Sequence, residues 1–135
     1  MTPAATRGLL DTSVFIASES GRPLLADLLP DESVVSAITI GELQAGVLTA
    51  ADVDVRARRL ATLEAVADIE ILAVDAHVAA AWAMLRVHLA ERGRRINVND
   101  LWIAATALAN AVPVVSQDDD FAPLEGAGGL QVIRV

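Results

Sequence analysis

The strongest constraint on this chain is a rhythm: short apolar runs recur between longer stretches with helical spacing. The runs Gly8 to Leu10, Ser33 to Ala37, Glu70 to Val74, Pro113 to Val115 and Leu130 to Ile133 have the length and composition of strands. Between them, Ile40, Leu43 and Val47 repeat at helical spacing, and Leu60 and Leu63 anchor a further segment. Val78, Trp82, Leu85 and Leu89 form an i, i+4, i+7, i+11 stripe that ends near Gly93. Strands alternating with helices predict an α/β fold, a parallel sheet of about five strands flanked on both faces by α-helices. With 135 residues and no internal repeat or linker, the expectation is one domain spanning residues 1–135.

In such a sheet, ligands bind beyond the carboxyl ends of the strands, where the next helices begin. Acidic residues fall at that kind of position along the whole chain. Asp11 directly follows the first strand, Glu42 is expected in the first turn of the helix after the second, Asp100 opens the helix through Leu101, and Asp118 follows the fourth strand. Each has an ordinary explanation as a helix cap, since carboxylates accept from free backbone N–H groups and oppose the helix dipole. Thr39-Ile40-Gly41-Glu42 reads as a capping box, Asn97-Val98-Asn99-Asp100 resembles one, and Asp11 could cap the helix containing Val14. Capping gives no reason, however, for all of them to share one sheet edge. Four carboxylates brought together repel one another unless a divalent cation joins them. Oxygen donors without histidine or cysteine select Mg²⁺ or Mn²⁺ over zinc.

Composition removes rival chemistries. Cysteine is absent, which excludes disulfides, thiolate nucleophiles and Cys-ligated zinc and is compatible with a reducing cytoplasm. Lysine is absent too, so P-loop, Schiff-base and phosphoaspartate-receiver chemistry lack their lysine. Residues 1–8 show no apolar leader, and no apolar run approaches the roughly 18 residues of a membrane span. A net charge of −8 argues against nucleic-acid binding when taken as a sum, but the arginines cluster as Arg56, Arg58, Arg59 and as Arg92, Arg94, Arg95. The first group reads as a solvated helix face, and the second lies close in sequence to Asp100. His77 and His88 would stand about 16 Å apart on one helix, too far to share an ion, and Trp82 and Trp102 are expected in packing. The 54% hydrophobic content exceeds the usual share of a soluble domain, which suggests a surface covered by a partner.

Four motifs in order carry a resemblance: Leu10-Asp11-Thr12-Ser13, Thr39-x-x-Glu42-Leu43, Asn99-Asp100-x-x-Ile103-Ala104-Ala105 and Val115-Ser116-x-Asp118-x-Asp120-Phe121. Together they are similar to the PIN-domain ribonucleases, and most of all to the VapC toxins of toxin–antitoxin pairs. The resemblance runs from Leu9 to Phe121. It implies that Asp11, Glu42, Asp100 and Asp118 ligate Mg²⁺ or Mn²⁺, with Asp120 completing the set, Asp119 as a spacer, and Ser13 and Ser116 supporting the carboxylates or the substrate phosphate. The implied activity is hydrolysis of RNA phosphodiesters, tRNA or rRNA, with water activated by one or two ions and no side-chain nucleophile. It also implies a homodimer, and a cognate antitoxin whose helix occupies a groove formed by helices containing Phe15, Leu24, Leu25, Leu28 and Leu43 to Leu48. A catalytically silent PIN-like interaction module is the alternative; it predicts a damaged quartet, whereas all four positions here are acidic. Metal-dependent phosphatases would show Asp-x-Asp after the first strand, where this chain has Asp11-Thr12-Ser13.

Overall fold

The computed structural model describes residues 5–135, so residues 1–4, part of the stretch considered for a leader, lie outside the described residues. Five strands form one sheet: β1 (Arg7–Leu10), β2 (Glu32–Ser36), β3 (Glu70–Leu72), β4 (Val114–Ser116) and β5 (Val132–Arg134). Their order is β3-β2-β1-β4-β5, and every neighbouring pair is parallel. Five α-helices complete the fold: α1 (Thr12–Ser20), α2 (Ala37–Leu48), α3 (Val53–Val66), α4 (Ala76–Glu91) and α5 (Val98–Ala109). All five expected strands are present, each displaced by one or two residues at its ends.

The period-2 alternation of the strands sorts the helices. Leu9, Val34 and Val114 are paired across β2-β1-β4 and share a buried cluster with α4 and α5 residues such as Val78, Leu85, Leu101 and Ile103. Their chain neighbours Leu10, Val35 and Val115 point the other way, into clusters with Val14 of α1, Leu43 of α2 and Val66 of α3. The sheet is thereby covered on both faces. Gly8 permits close packing at the start of β1, where an added Cβ would meet Val115 Cγ2 at 2.8 Å and Pro30 at 3.2 Å.

Several sequence expectations need correction. Ala37 is already the first residue of α2, because Ser36 ends the strand as the helix cap and accepts from Ile38 N at 3.1 Å. The capping box at Thr39 therefore does not form; Thr39 is already buried within the first turn of the helix, and Glu42 lies in its second turn rather than its first. Leu60 is 42% exposed, so α3 is anchored by Leu63 and Val66 instead. Leu24 and Leu25 belong to no helix, and Leu28 only to a short 3₁₀ turn, Ala26–Leu28. The reason is local: Gly21, at φ 75°, closes α1 in the left-handed conformation, and Pro23 bars its continuation. Arg56 and Arg58 are exposed, as a solvated face should be, while Arg56 and the half-buried Arg59 also donate to the Val47 and Gly46 carbonyls at 3.3 and 2.7 Å near the end of α2. Trp82 and Trp102 stack with centroids 5.0 Å apart beside the main core, as packing residues should. Among the described residues, no helix is long and apolar enough to cross a membrane.

Candidate metal centre

The chain winds outward from β1 to β2 and β3, then returns to place β4 on β1's other side. That reversal makes the carboxyl ends of β1 and β4 the topological switch point, where a crevice opens in sheets of this type. Asp11 follows β1 there and is only 2% exposed. It holds the N-cap position of α1 by backbone geometry, yet its side chain makes no capping bond. Instead Ser13 Oγ donates to Asp11 Oδ1 at 2.6 Å, and Ser116 Oγ, at the end of β4, lies 3.2 Å from Asp11 Oδ2. The two serine hydroxyls are themselves 3.3 Å apart, and the Gln117 N–H donates to Ser13 Oγ at 3.0 Å. This buried polar knot ties α1 to β4 and fixes the orientation of the Asp11 carboxylate.

The other acids border the same crevice. Ser116 Oγ is also 3.2 Å from Asp118 Oδ1, and that oxygen accepts from the Asp120 N–H at 3.0 Å, so Asp118 shapes the turn after β4 as well as facing Asp11. Glu42 reaches the edge from α2, held by Thr12 Oγ1 donating to Oε1 at 2.7 Å. Asp100 lies in the first turn of α5, but Asn97 caps that helix, accepting from Asn99 N and Asp100 N at 2.8 and 3.4 Å. The expected Asn97 cap is present, and it leaves the Asp100 carboxylate free of that task. Asp119 turns away and pairs with Arg134, in keeping with its reading as a spacer.

The electrostatics follow from crowding and burial. Burial pushes the Asp11 carboxyl up to about 7, with Asp118 and Asp100 adding repulsion, while the hydrogen bonds from Ser13 and Ser116 pull against the rise. Burial likewise raises Asp100 to about 6, helped by Asp120, Glu42 and Asp118. Each acid of the expected set is named in these couplings, so the fold does bring them within electrostatic reach. Among the described residues, however, no three acidic or histidine side chains stand close enough to ligate one ion together. The acids are coupled through pairwise repulsion on Asp11 and Asp100 without making a closed ligand shell.

Two residues with evident roles were not singled out from sequence. Thr12 holds Glu42 and contacts Thr39 Oγ1 at 3.1 Å. Its signal was its position in Asp11-Thr12-Ser13, where a helix start makes successive side chains diverge toward different neighbours. Asn99, beside Asp100, lines a cavity of about 480 Å³ with Glu42 and Ile38. The histidines contribute nothing here, since both His77 and His88 lie on α4.

Comparison with known proteins agrees with this architecture. The PIN domain family matches residues 8–126. Ribonuclease VapC5 of Mycobacterium tuberculosis is 60% identical over 134 residues, covering 99% of this chain and 98% of the relative. Ribonuclease VapC4 of the same organism is 42% identical over 118 residues, covering 87% and 91% of the two chains. Among solved structures, a chain of the Mycobacterium tuberculosis VapBC-5 toxin–antitoxin crystal structure matches with a TM-score of 0.91 at 55% identity, over 96% of this chain and 99% of that one. A chain of VapBC2 from Rickettsia felis, solved with a promoter DNA fragment, shares the fold with a TM-score of 0.75 at 24% identity, over 93% and 96%. With a family match that runs from β1 past Asp120 and a relative identical at 60% of aligned positions, this chain belongs to the PIN-domain family.

Proposed function

We propose that this chain is a divalent-metal-dependent endoribonuclease toxin of VapC type, cutting RNA phosphodiester bonds in the cytoplasm and restrained by a cognate antitoxin protein. The observation that carries the reading is Asp11: a nearly buried carboxyl at the switch point, bonded by two serines and pressed by further acids, with no cation among the described residues to neutralise it. Family membership and the names of the relatives supply the activity and the antitoxin. The chemistry of the donors supplies the ion class.

Asp11, Glu42, Asp100 and Asp118 are the residues assigned to hold Mg²⁺ or Mn²⁺, with Asp120 at the rim. Their all-oxygen donor set fits a hard divalent cation, and burial, with repulsion from neighbouring acids, raises the carboxyls of Asp11 and Asp100. A cation held by these acids would offset the repulsion among them. When bound, the ion supplies Lewis-acid stabilisation of the charge that develops on a scissile phosphate and favours ionised water as nucleophile. The protein's own contribution is orientation: Ser13 and Ser116 aim Asp11, Thr12 aims Glu42, and Asn97 fixes the α5 turn that carries Asp100.

The cavity between α1, α2 and α3, about 340 Å³ and lined by Thr12, Ile16, Glu42, Leu43 and Arg59, borders this site and is the place assigned to the antitoxin segment. Phe15, Leu24 and Leu28 are half-buried against the sheet and so are less available to it than the sequence suggested. The homodimer is retained as part of the proposal.

The test is RNA cleavage by antitoxin-free protein with Mg²⁺, with Mn²⁺ and with EDTA, beside Asp100→Asn. Cleavage that needs the ion and is lost in the variant supports the reading. Equal activity in both proteins overturns the site, and no cleavage under any condition favours a silent interaction module.

A further inference from the structure

The corner where α4 hands over to α5 is chemically unlike the acid edge beside it. Residues 86 to 95 contain four of the chain's ten arginines and one glutamate. Five of the ten are engaged. Arg7 and Arg134 pair with carboxylates, while Arg56, Arg59 and Arg92 donate to backbone carbonyls. Among the described residues, the side chains left without a hydrogen bond or ion pair are those of Arg22, Arg58, Arg86, Arg94 and Arg95. Three of these five line one cavity of about 580 Å³, together with Ile96, Val98 and Leu101.

Position gives the cavity its meaning. Val98 and Leu101 face it from the first turn of α5, and Asn99 of the same turn faces the cavity shared with Glu42. Asp100 lies between them in sequence, so the first turn of α5 that carries it borders both cavities. A polyanion cut at the acids meets strong local repulsion on a chain of net charge −8, and cationic contacts nearby are needed to offset it. One of the arginines is also ordered in advance. The Arg86 guanidinium lies 5.4 Å from the centre of the Trp82 ring, which is itself stacked on Trp102. Holding a cation over a stacked indole lowers the entropic cost of presenting it to a phosphate.

We infer that Arg86, Arg94 and Arg95 form a seat for the RNA phosphate backbone on the strand leading away from the scissile bond. The seat rests on the ribonuclease reading above. Guanidinium groups bind phosphate oxygens bidentately, and the seat acts on substrate affinity rather than on the bond-breaking step.

The test uses the full-length, antitoxin-free protein and a labelled single-stranded RNA oligonucleotide of mixed sequence. Binding is followed by fluorescence anisotropy in EDTA across a salt series, and cleavage is measured separately with Mn²⁺. Replacing the three arginines with glutamine is expected to weaken binding at low salt at least tenfold and to flatten the slope of log K against log salt by about 2, at roughly 0.7 per phosphate contact. KM for cleavage rises by a similar factor, kcat stays within about twofold, and lysine at the same positions restores most of the salt slope. Arg22→Gln behaves as wild type. If the triple variant does not fold, Arg95→Gln alone is expected to lower the slope by about 0.7. An unchanged slope and KM overturn the seat, as does a fall in kcat alone, or weakened antitoxin binding with RNA binding intact. Wild-type protein that binds RNA through these arginines but never cleaves it overturns the ribonuclease reading and leaves the seat standing.

Discussion

The two ends of strand β1 handle charge in opposite ways. At its amino end Arg7 bridges Glu32 of β2, at 3.6 Å, and Glu70 of β3, so the sheet edge carries both signs in contact. At its carboxyl end, four residues on, Asp11 is buried against serine hydroxyls and faces only further acids. Among the described residues, none of Asp11, Glu42, Asp100 and Asp118 is ion-paired with an arginine or histidine. The amino edge is arranged as a folding problem would have it. The carboxyl edge sets burial and like charge against the ionised forms of Asp11 and Asp100, a pattern that clusters at functional sites.

The comparison breaks most sharply at Asp11. Asp11→Asn keeps the shape but removes a charge, and cleavage is expected to fall by roughly a hundredfold or more, since even residues that only support metal ligands cost about 10–100-fold. Stability should move the other way. A carboxyl raised from 3.8 to about 7 binds its proton more tightly in the folded state, so the native protein loses stability as pH rises between those values. The ceiling for that loss is on the order of 4 kcal/mol. Asp100, raised to about 6 and only half-buried, adds a smaller loss in the same direction. In EDTA, thermal melts should therefore show Tm falling from pH 4 to pH 7, with a flatter profile for Asp11→Asn. Adding Mn²⁺ should raise Tm strongly near pH 7.5 and weakly near pH 5, where protons compete for the ligands. A pH-independent metal effect, or an Asp11→Asn melt as steep as wild type, would erase the contrast between the two edges.

Asp11 and Asp118 were legible in the sequence because each closely follows an apolar run of strand length, Glu42 and Asp100 because each stands near an expected helix start. What the sequence withheld is contact across the chain. Nothing local distinguishes the order β3-β2-β1-β4-β5 from other parallel orders, yet that order alone sets Ser116 against Asp11. Glu42 was placed one turn too early because Thr39-x-x-Glu42 imitates a capping box, whereas Ser36, which the strand pattern had absorbed, is the residue with the free hydroxyl at the helix start. The loss of helix at Leu24 and Leu25 was written in Gly21 and Pro23, but a spacing of leucines outweighed it. The exposed face at Arg56 and Arg58 was legible, but the contacts of Arg56 and Arg59 to the α2 carbonyls of Val47 and Gly46 carry no sequence signal.

The serines sharpen the comparison at intermediate scale. Ser116→Ala removes the hydroxyl that lies 3.2 Å from both Asp11 and Asp118, and Ser13→Ala removes the 2.6 Å bond. Either change should lower cleavage about tenfold, within the range for partners of metal ligands, and shift the metal concentration for half-activity upward. Because both hydroxyls hold the Asp11 carboxyl down, their loss should also move the EDTA stability profile further toward alkaline pH. A serine that served packing alone would lower Tm and leave that pH dependence in place.

The smallest effect belongs to the amino edge. Arg7→Ala breaks contacts to Glu32 and Glu70, but both glutamate side chains are more than half exposed, so water replaces the arginine at little cost. Exposed pairs of this sort are worth about 0–1 kcal/mol, and even the bridge between three strands should cost no more than a few degrees in Tm. Salt should mask most of that difference, because the lost interaction is itself screened. Cleavage, KM and the metal requirement should match wild type, since nothing links Arg7 to the Asp11 knot except the backbone of β1. A fall in activity at constant Tm would mean that charge at the amino edge is felt at the carboxyl edge, and the two ends of the strand would then have to be treated as one electrostatic unit.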